Sequence, residues 1–120
     1  MQKTFFTWLL LYSFNHLFAA EAIMLTIDYA QKKPTKKIKV PFTSGMTALE
    51  LLQRASKVRT KKVGKYIFVK SIDEIKSHPG KMGWFYFIDG QRASKVASEY
   101  VLKEVETMKW SFQVDHCLAP

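Results

Sequence analysis

The chain of 120 residues carries 19 lysines and arginines against 10 acids, a net charge of +9, and 14% aromatic residues. That is one small domain, with core enough to fold alone and none to spare for a second globule. A single cysteine, Cys117, excludes an internal disulfide scaffold, so apolar packing must hold the fold.

Met1-Gln2-Lys3 is a short cationic start, Phe5 to Phe14 is almost wholly apolar, and Ala20-Glu21-Ala22 places small residues at the two positions of an A-x-A cleavage site. This is the pattern of a secretory signal peptide, residues 1–22. A membrane anchor is the alternative, but the apolar run breaks at Asn15-His16, short of the roughly 20 residues that span a bilayer. Processing removes Lys3 and Glu21 together, so the exported chain keeps its charge of +9. No second stretch of spanning length follows, and a soluble periplasmic or extracellular protein is expected. Beyond residue 22 there is no asparagine, hence no acceptor for N-linked glycosylation.

Ile23, Leu25, Ile27 and Tyr29 alternate with Met24, Thr26 and Asp28, and Ile38, Val40 and Phe42 alternate with Lys37, Lys39 and Pro41. Both are half-buried strands. The stretch AQKKPTKK between them has the proline and charge of a turn, so the two strands make a hairpin with a basic outer face. Next, Thr47 with Glu50 three residues on is a capping box, and Ala48, Leu51, Leu52, Ala55 and Val58 fall at helical spacing. The pattern predicts a helix from about Ala48 to Lys57, with Glu50, Gln53, Arg54 and Lys57 in solvent. VRTKKVGKY reads as a basic loop ending at Gly64, Tyr66 to Val69 as a short strand, and SIDEIKSHPG as a connecting loop.

Trp84 to Ile88 is a strand that makes both of its faces apolar, because successive side chains point to opposite sides. Asp89-Gly90 is the strongest turn signal in the chain. QRASKVASEYVLKEVE is less periodic and reads as irregular or partly helical. Met108, Trp110 and Phe112, alternating with Thr107, Lys109 and Ser111, make the last strand. One helix covers only one face of a sheet. Either face of the aromatic strand could be the open one, and the flanking loops, Ser71 to Gly80 or Arg92 to Tyr100, could instead fold over it as a second small core. The assignment adopted puts Phe85 and Phe87 in the core and Trp84 and Tyr86, with Ile88 and the Asp89-Gly90 turn, against a ligand, since exposed contiguous apolar patches mark interaction sites.

The segments GMTALELLQRA, GKYIFVKSIDEI, GWFYFIDGQRAS and YVLKEVETMKWSF resemble the exported bacterial domain family DUF4430, which is similar in turn to the C-terminal β-grasp domain of transcobalamin and intrinsic factor. The likeness runs from about Met24 to Phe112, and Gly45-x-Thr47-Ala48-Leu49, Ser71-Ile72-Asp73 and the aromatic strand into Asp89-Gly90 are its most specific parts. The resemblance implies an α+β, ubiquitin-like β-grasp over residues 23–114, with one helix on a mixed sheet of four to five strands and a tail at 115–120. It also implies a binding module for a corrinoid (cobalamin-like) ligand or a protein partner, without the helical barrel that completes the carriers' cleft. Glu104-Val105-Glu106 stands where the family shows an Asp-Gly-Asp turn.

The residues do not suggest an enzyme. His78 sits beside Pro79, and His116 adjoins Cys117, but sequence neighbours point apart in extended chain and no third group orients them. Asp115, His116 and Cys117 lack the spaced ligand pairs of a structural zinc site, no phosphate-cradling glycine loop occurs, and no metal is expected. Two alternatives to a ligand-binding module stand. Lys32, Lys33, Lys36, Lys37, Lys39, Arg59, Lys61, Lys62 and Lys65 concentrate in two stretches that could meet polysaccharide, an anionic surface or, less favoured, nucleic acid; a plain solvated lysine coat is the simpler account. Cys117 could tether the chain to an envelope assembly through an intermolecular disulfide, or be an incidental thiol.

Overall fold

The alternation of Ile23, Leu25 and Ile27 with polar or flexible neighbours builds β1 (Ala22–Asp28) in the computed structural model, which describes residues 21–103 and 107–115. Those three side chains are fully buried. β2 (Lys36–Pro41) returns antiparallel as the hairpin pattern predicts, Ile23 opposite Val40 and Leu25 opposite Ile38. Lys37 and Lys39 point away from the core on this edge strand, which discourages association through its free backbone groups.

α1 (Ala48–Ala55) begins at the predicted residue. Thr47 Oγ1 accepts from the Glu50 amide at 3.2 Å and Glu50 Oε1 accepts from the Thr47 amide at 2.9 Å, so two otherwise orphaned donors are satisfied reciprocally. The Thr47 amide, and then the Thr47 hydroxyl, donate to Oε1 and hold the Glu50 carboxyl below its ordinary range. The helix stops at Ala55, before the expected Lys57, because Ser56 is already extended at φ −147°. Its buried stripe, Ala48, Leu49, Leu51 and Leu52, joins the apolar side chains of β1 and β2 in one core.

The largest departure from the sequence reading follows. The stretch expected to be a basic loop is β3 (Val58–Val63), paired antiparallel with β4 (Tyr66–Ile72) across the two-residue turn Gly64-Lys65. Gly64 takes φ +61° there, the glycine-first geometry that suits a tight hairpin. β5 (Ile75–Lys76) completes a three-stranded sheet inside the expected connecting loop. Asp73, in the turn before β5, knots this sheet to the rest. Its carboxylate accepts from the Tyr29 hydroxyl, from Lys36 Nζ at 3.2 Å and from the Lys57 amide at 3.1 Å. Burial pushes the Asp73 carboxyl up, but these donors outweigh it and hold the group below its ordinary range. Burial, reinforced by Asp73, pushes the Tyr29 hydroxyl upward.

The aromatic strand is β6 (Met82–Ile88), followed by β7 (Gln91–Arg92) and β8 (Thr107–Val114). Asp89 and Gly90 connect β6 to β7 with φ of +47° and +84°, the positive pair of an Asp-Gly hairpin turn. Among its described residues, 93–103, the segment after β7 forms no helix; it runs beside the start of α1, where the Ala48 and Leu49 amides donate to the Tyr100 and Ala97 carbonyls. The larger sheet has the order β2-β1-β8-β6-β7. It is mixed, since β8 lies parallel to β1 and antiparallel to β6. The architecture is therefore α+β, one helix with a mixed five-stranded sheet and a second sheet of three strands. Among the described residues no helix is long and apolar enough to cross a membrane. Residues 1–20 of the expected signal peptide (residues 1–22), the Glu104-Val105-Glu106 segment, and the tail with His116 and Cys117 lie outside the described residues, and Ala22, the last residue of that expected peptide, is the first of β1.

Candidate functional site

Register decides which face of β6 is buried. Trp84 lies opposite Phe112, Tyr86 opposite Trp110 and Ile88 opposite Met108, so these three share a face with the apolar stripe of β8, and that stripe is core. Tyr86 and Ile88 are 7% and 8% exposed. Phe85 and Phe87, expected in the core, are half-buried on the opposite face, where the Arg92 guanidinium lies 4.0 Å from the Phe85 ring centroid. The expected orientation of the strand is thus reversed. The cause is that both faces of Trp84-Phe85-Tyr86-Phe87 are apolar, and only the partner strand distinguishes them.

The buried face nevertheless opens onto a cleft. Between β4 and the segment after β7 lies a cavity of about 400 Å³, walled by Ile67, Phe68 and Val69 on one side and Arg92 to Ala97 on the other, with Trp84, Tyr86 and Trp110 among its lining residues. α1 does not contribute to it. The aromatic residues are rigidly set. Tyr86 stacks on Trp110 with centroids 4.9 Å and planes 20° apart, and its hydroxyl donates to the Lys95 carbonyl. Trp84 meets Tyr29 edge-on at 5.9 Å and donates its Nε1 proton to the Ile75 carbonyl at 2.9 Å. Burial, with Tyr100 beside it, pushes the Tyr86 hydroxyl up to about 12.

Trp110 differs from its neighbours. It is 2% exposed, and its Nε1 has no hydrogen-bond partner among the described residues. A buried indole N–H normally finds an acceptor. The cleft can receive a flat apolar group, and Trp110, one of its lining residues, carries a buried N–H without an acceptor among the described residues.

The other expected ligand residues serve the fold. Ile88 packs in the core, and Asp89 Oδ1 accepts from the Thr107 amide at 3.0 Å and from its hydroxyl at 3.3 Å, tying the turn to the start of β8. Gly90 supplies the positive φ of that turn. The basic residues fall on two different sheets. Lys32 and Lys33 are exposed in the β1–β2 loop, Lys37 and Lys39 are exposed on β2, and Arg59, Lys61, Lys62 and Lys65 are exposed on the β3–β4 hairpin. Lys36 is engaged, with Nζ 2.8 Å from Ser56 Oγ and 3.2 Å from Asp73.

Ile67, Val69, Trp110 and the Arg92 to Ala97 segment were not foreseen as parts of a site. Trp110 carried only a core signal, its place in a strand alternation, and the walls come from segments far apart in the chain. Among the described residues no group of three or more His, Cys, Asp or Glu side chains is placed to hold a metal ion.

The fold is similar to that of haptocorrin in complex with Cbi, with a TM-score of 0.62 and 13% identity over 78% of this chain and 25% of that one. The chain thus corresponds to a quarter of haptocorrin's length. It is also similar to a candidate metal-binding protein from Ruminococcus gnavus ATCC 29149, with a TM-score of 0.59 and 12% identity over 79% of this chain and 98% of that one. At these identities the likeness is one of fold. A search of the curated proteins finds no match. The model of the family described as Domain of unknown function (DUF4430) matches residues 45–114, from the glycine before α1 to the end of β8, and the chain belongs to that family.

Proposed function

We propose that the chain is an exported, non-enzymatic binding module of β-grasp architecture, and that the cleft between β4 and the segment after β7 takes a flat, largely apolar ligand. The observation that carries this reading is the aromatic lining, Trp84, Tyr86 and Trp110, of a cleft of about 400 Å³. Small-molecule sites are concave and mainly apolar, with few polar groups that fix orientation, and their volumes start near ~300 Å³. The helix-and-sheet order, and the likeness to haptocorrin in complex with Cbi, support the β-grasp assignment and make a corrinoid the first ligand to test. A corrinoid is larger than the cleft and would enter it by one edge. The cationic, apolar, small-residue pattern of residues 1–22 supports export by a signal peptide.

Isothermal titration calorimetry of the purified protein with cobalamin and with its precursor lacking the lower ligand tests the proposal. The expected result is saturable heat that persists at high salt and is lost in Ala93→Leu, which fills the cleft without removing core. Absence of heat with both compounds overturns the corrinoid assignment. Mass spectrometry of the N-terminus of protein recovered from the envelope or medium tests export; an intact Met1 there overturns cleavage.

A further inference from the structure

Three of the five exposed large apolar side chains among the described residues lie on one hairpin: Val63 at 50%, Tyr66 at 38% and Phe68 at 43% exposure. Register places them together. Val63 is opposite Tyr66 and Lys61 is opposite Phe68, and cross-strand partners share a face. The Tyr66 and Phe68 rings are 6.3 Å apart, and Lys65 Nζ lies 5.2 Å from the Tyr66 centroid. The opposite face carries Ile67 and Val69, which pack against the core. The hairpin is therefore anchored from behind and presents its apolar residues outward.

The same hairpin is uniformly cationic. From Lys57 to Lys70 the chain has Lys57, Arg59, Lys61, Lys62, Lys65 and Lys70 and no acid. The ion pairs among the described residues engage Lys36 and Lys57, so the five cations from Arg59 to Lys70 have no carboxylate ion-pair partner among the described residues.

We propose that the outer face of the β3–β4 hairpin docks on an anionic lipid bilayer, a function beyond that of the cleft, with which this face shares Phe68. Val63, Tyr66 and Phe68 would enter the boundary between headgroups and acyl chains, where aromatic side chains with a polar tip are favoured. Lys61, Lys65 and Lys70 lay their methylene stems along that apolar group and carry their ammonium ions to the lipid phosphates. Two features select a bilayer over a nucleic acid. Val63, beside the turn, has no π face on which a base could stack. Five of the six cations are lysines, which act as point charges and lack the bidentate fork of arginine.

Vesicle co-sedimentation tests this with purified protein, using phosphatidylcholine vesicles with and without phosphatidylglycerol. All variants share one N-terminus, verified by mass spectrometry, so any contribution of the N-terminal segment is common to them. The protein is expected to sediment with the anionic vesicles only. K61E/K65E should weaken that partition by at least about tenfold, and V63S/Y66S should weaken it while the residual binding becomes fully salt-sensitive. K37E/K39E on β2 carries the same charge change and should retain most of the binding. Near-ultraviolet circular dichroism confirms that each variant is folded. Equal sedimentation with neutral vesicles, equal loss in K37E/K39E, or indifference to both hairpin variants would overturn the proposal. So would tighter binding to a single-stranded oligonucleotide that competes with the vesicles.

Discussion

Tyr86 and Trp110 face each other across neighbouring strands with their rings stacked 4.9 Å apart, and this pair joins the core to the cleft. Both residues belong to the core cluster and both line the cleft. Such offset pairs contribute about 0.5 to 1.5 kcal/mol beyond the area they bury. The two residues therefore hold the strands in register and give the cleft a wall that needs no rearrangement when a ligand arrives.

Trp110→Ala should cost about 3 to 5 kcal/mol, as removal of a buried aromatic does. Tyr86→Phe keeps the stack and loses the bond to the Lys95 carbonyl, and should cost only about 1 kcal/mol. Urea unfolding of the two variants checks both values. Comparable losses would show that the Lys95 bond, and not the stack, dominates.

Alkaline stability should depend on the same hydroxyl. The folded-state pKa of Tyr86 is raised to about 12, and tyrosine in an unfolded chain ionises near ~10. The unfolded state thus releases protons first, and stability present below pH ~10 is lost as pH rises toward the folded value. Tyr29 is raised as well and adds to this slope. Tyr86→Phe should make the loss shallower, measured as unfolding free energy at stepped pH. An unchanged slope would assign the effect to Tyr29 alone.

Asp73 governs the acid side. Its folded pKa is depressed, so its contribution is fully present above the unfolded value near ~4 and is lost as pH falls through the folded value. Asp73→Asn should cost about 1.5 to 3 kcal/mol at neutral pH, the range for hydrogen bonds to a charged group, and should flatten the decline in stability below pH ~4. Thermal unfolding across that range reads both effects.

Thr47→Ala should destabilise by about 1 kcal/mol through loss of the cap on α1, while Leu51→Ala and Leu52→Ala should each cost about 2 to 5 kcal/mol. Denaturant midpoints rank the three. A larger loss for Thr47 than for the leucines would mean that the helix holds chiefly by its cap.

Elements whose signals are local could be read from the sequence. β1 and β2 follow from strict alternation, α1 from Thr47 and Glu50 with its apolar stripe, the β6–β7 turn from Asp89-Gly90, and β8 from Met108, Trp110 and Phe112. β3 was hidden because every residue from Arg59 to Val63 is exposed, so no buried stripe of period two exists to reveal it. Its pairing with β4 alone makes it a strand. The face of β6 was hidden for the reason given by its register: four successive aromatic side chains look alike from both sides. The cleft was invisible because its walls are β4 and the segment after β7, and its lining aromatics come from β4, β6 and β8, which no single motif brings together.

The position of β8 between β1 and β6 also sets the order of events in folding. The β1–β2 and β6–β7 hairpins can each close locally, yet the larger sheet has no bond between them except through β8. A nascent chain that has not delivered Thr107 to Val114 holds two separate ribbons, with Ile23, Leu25 and Ile27 uncovered along one flank. Pairing β1 with β8 closes a loop of nearly the whole domain, the kind of distant contact that makes folding slow. The larger sheet therefore cannot reach its final arrangement until its last strand has been made.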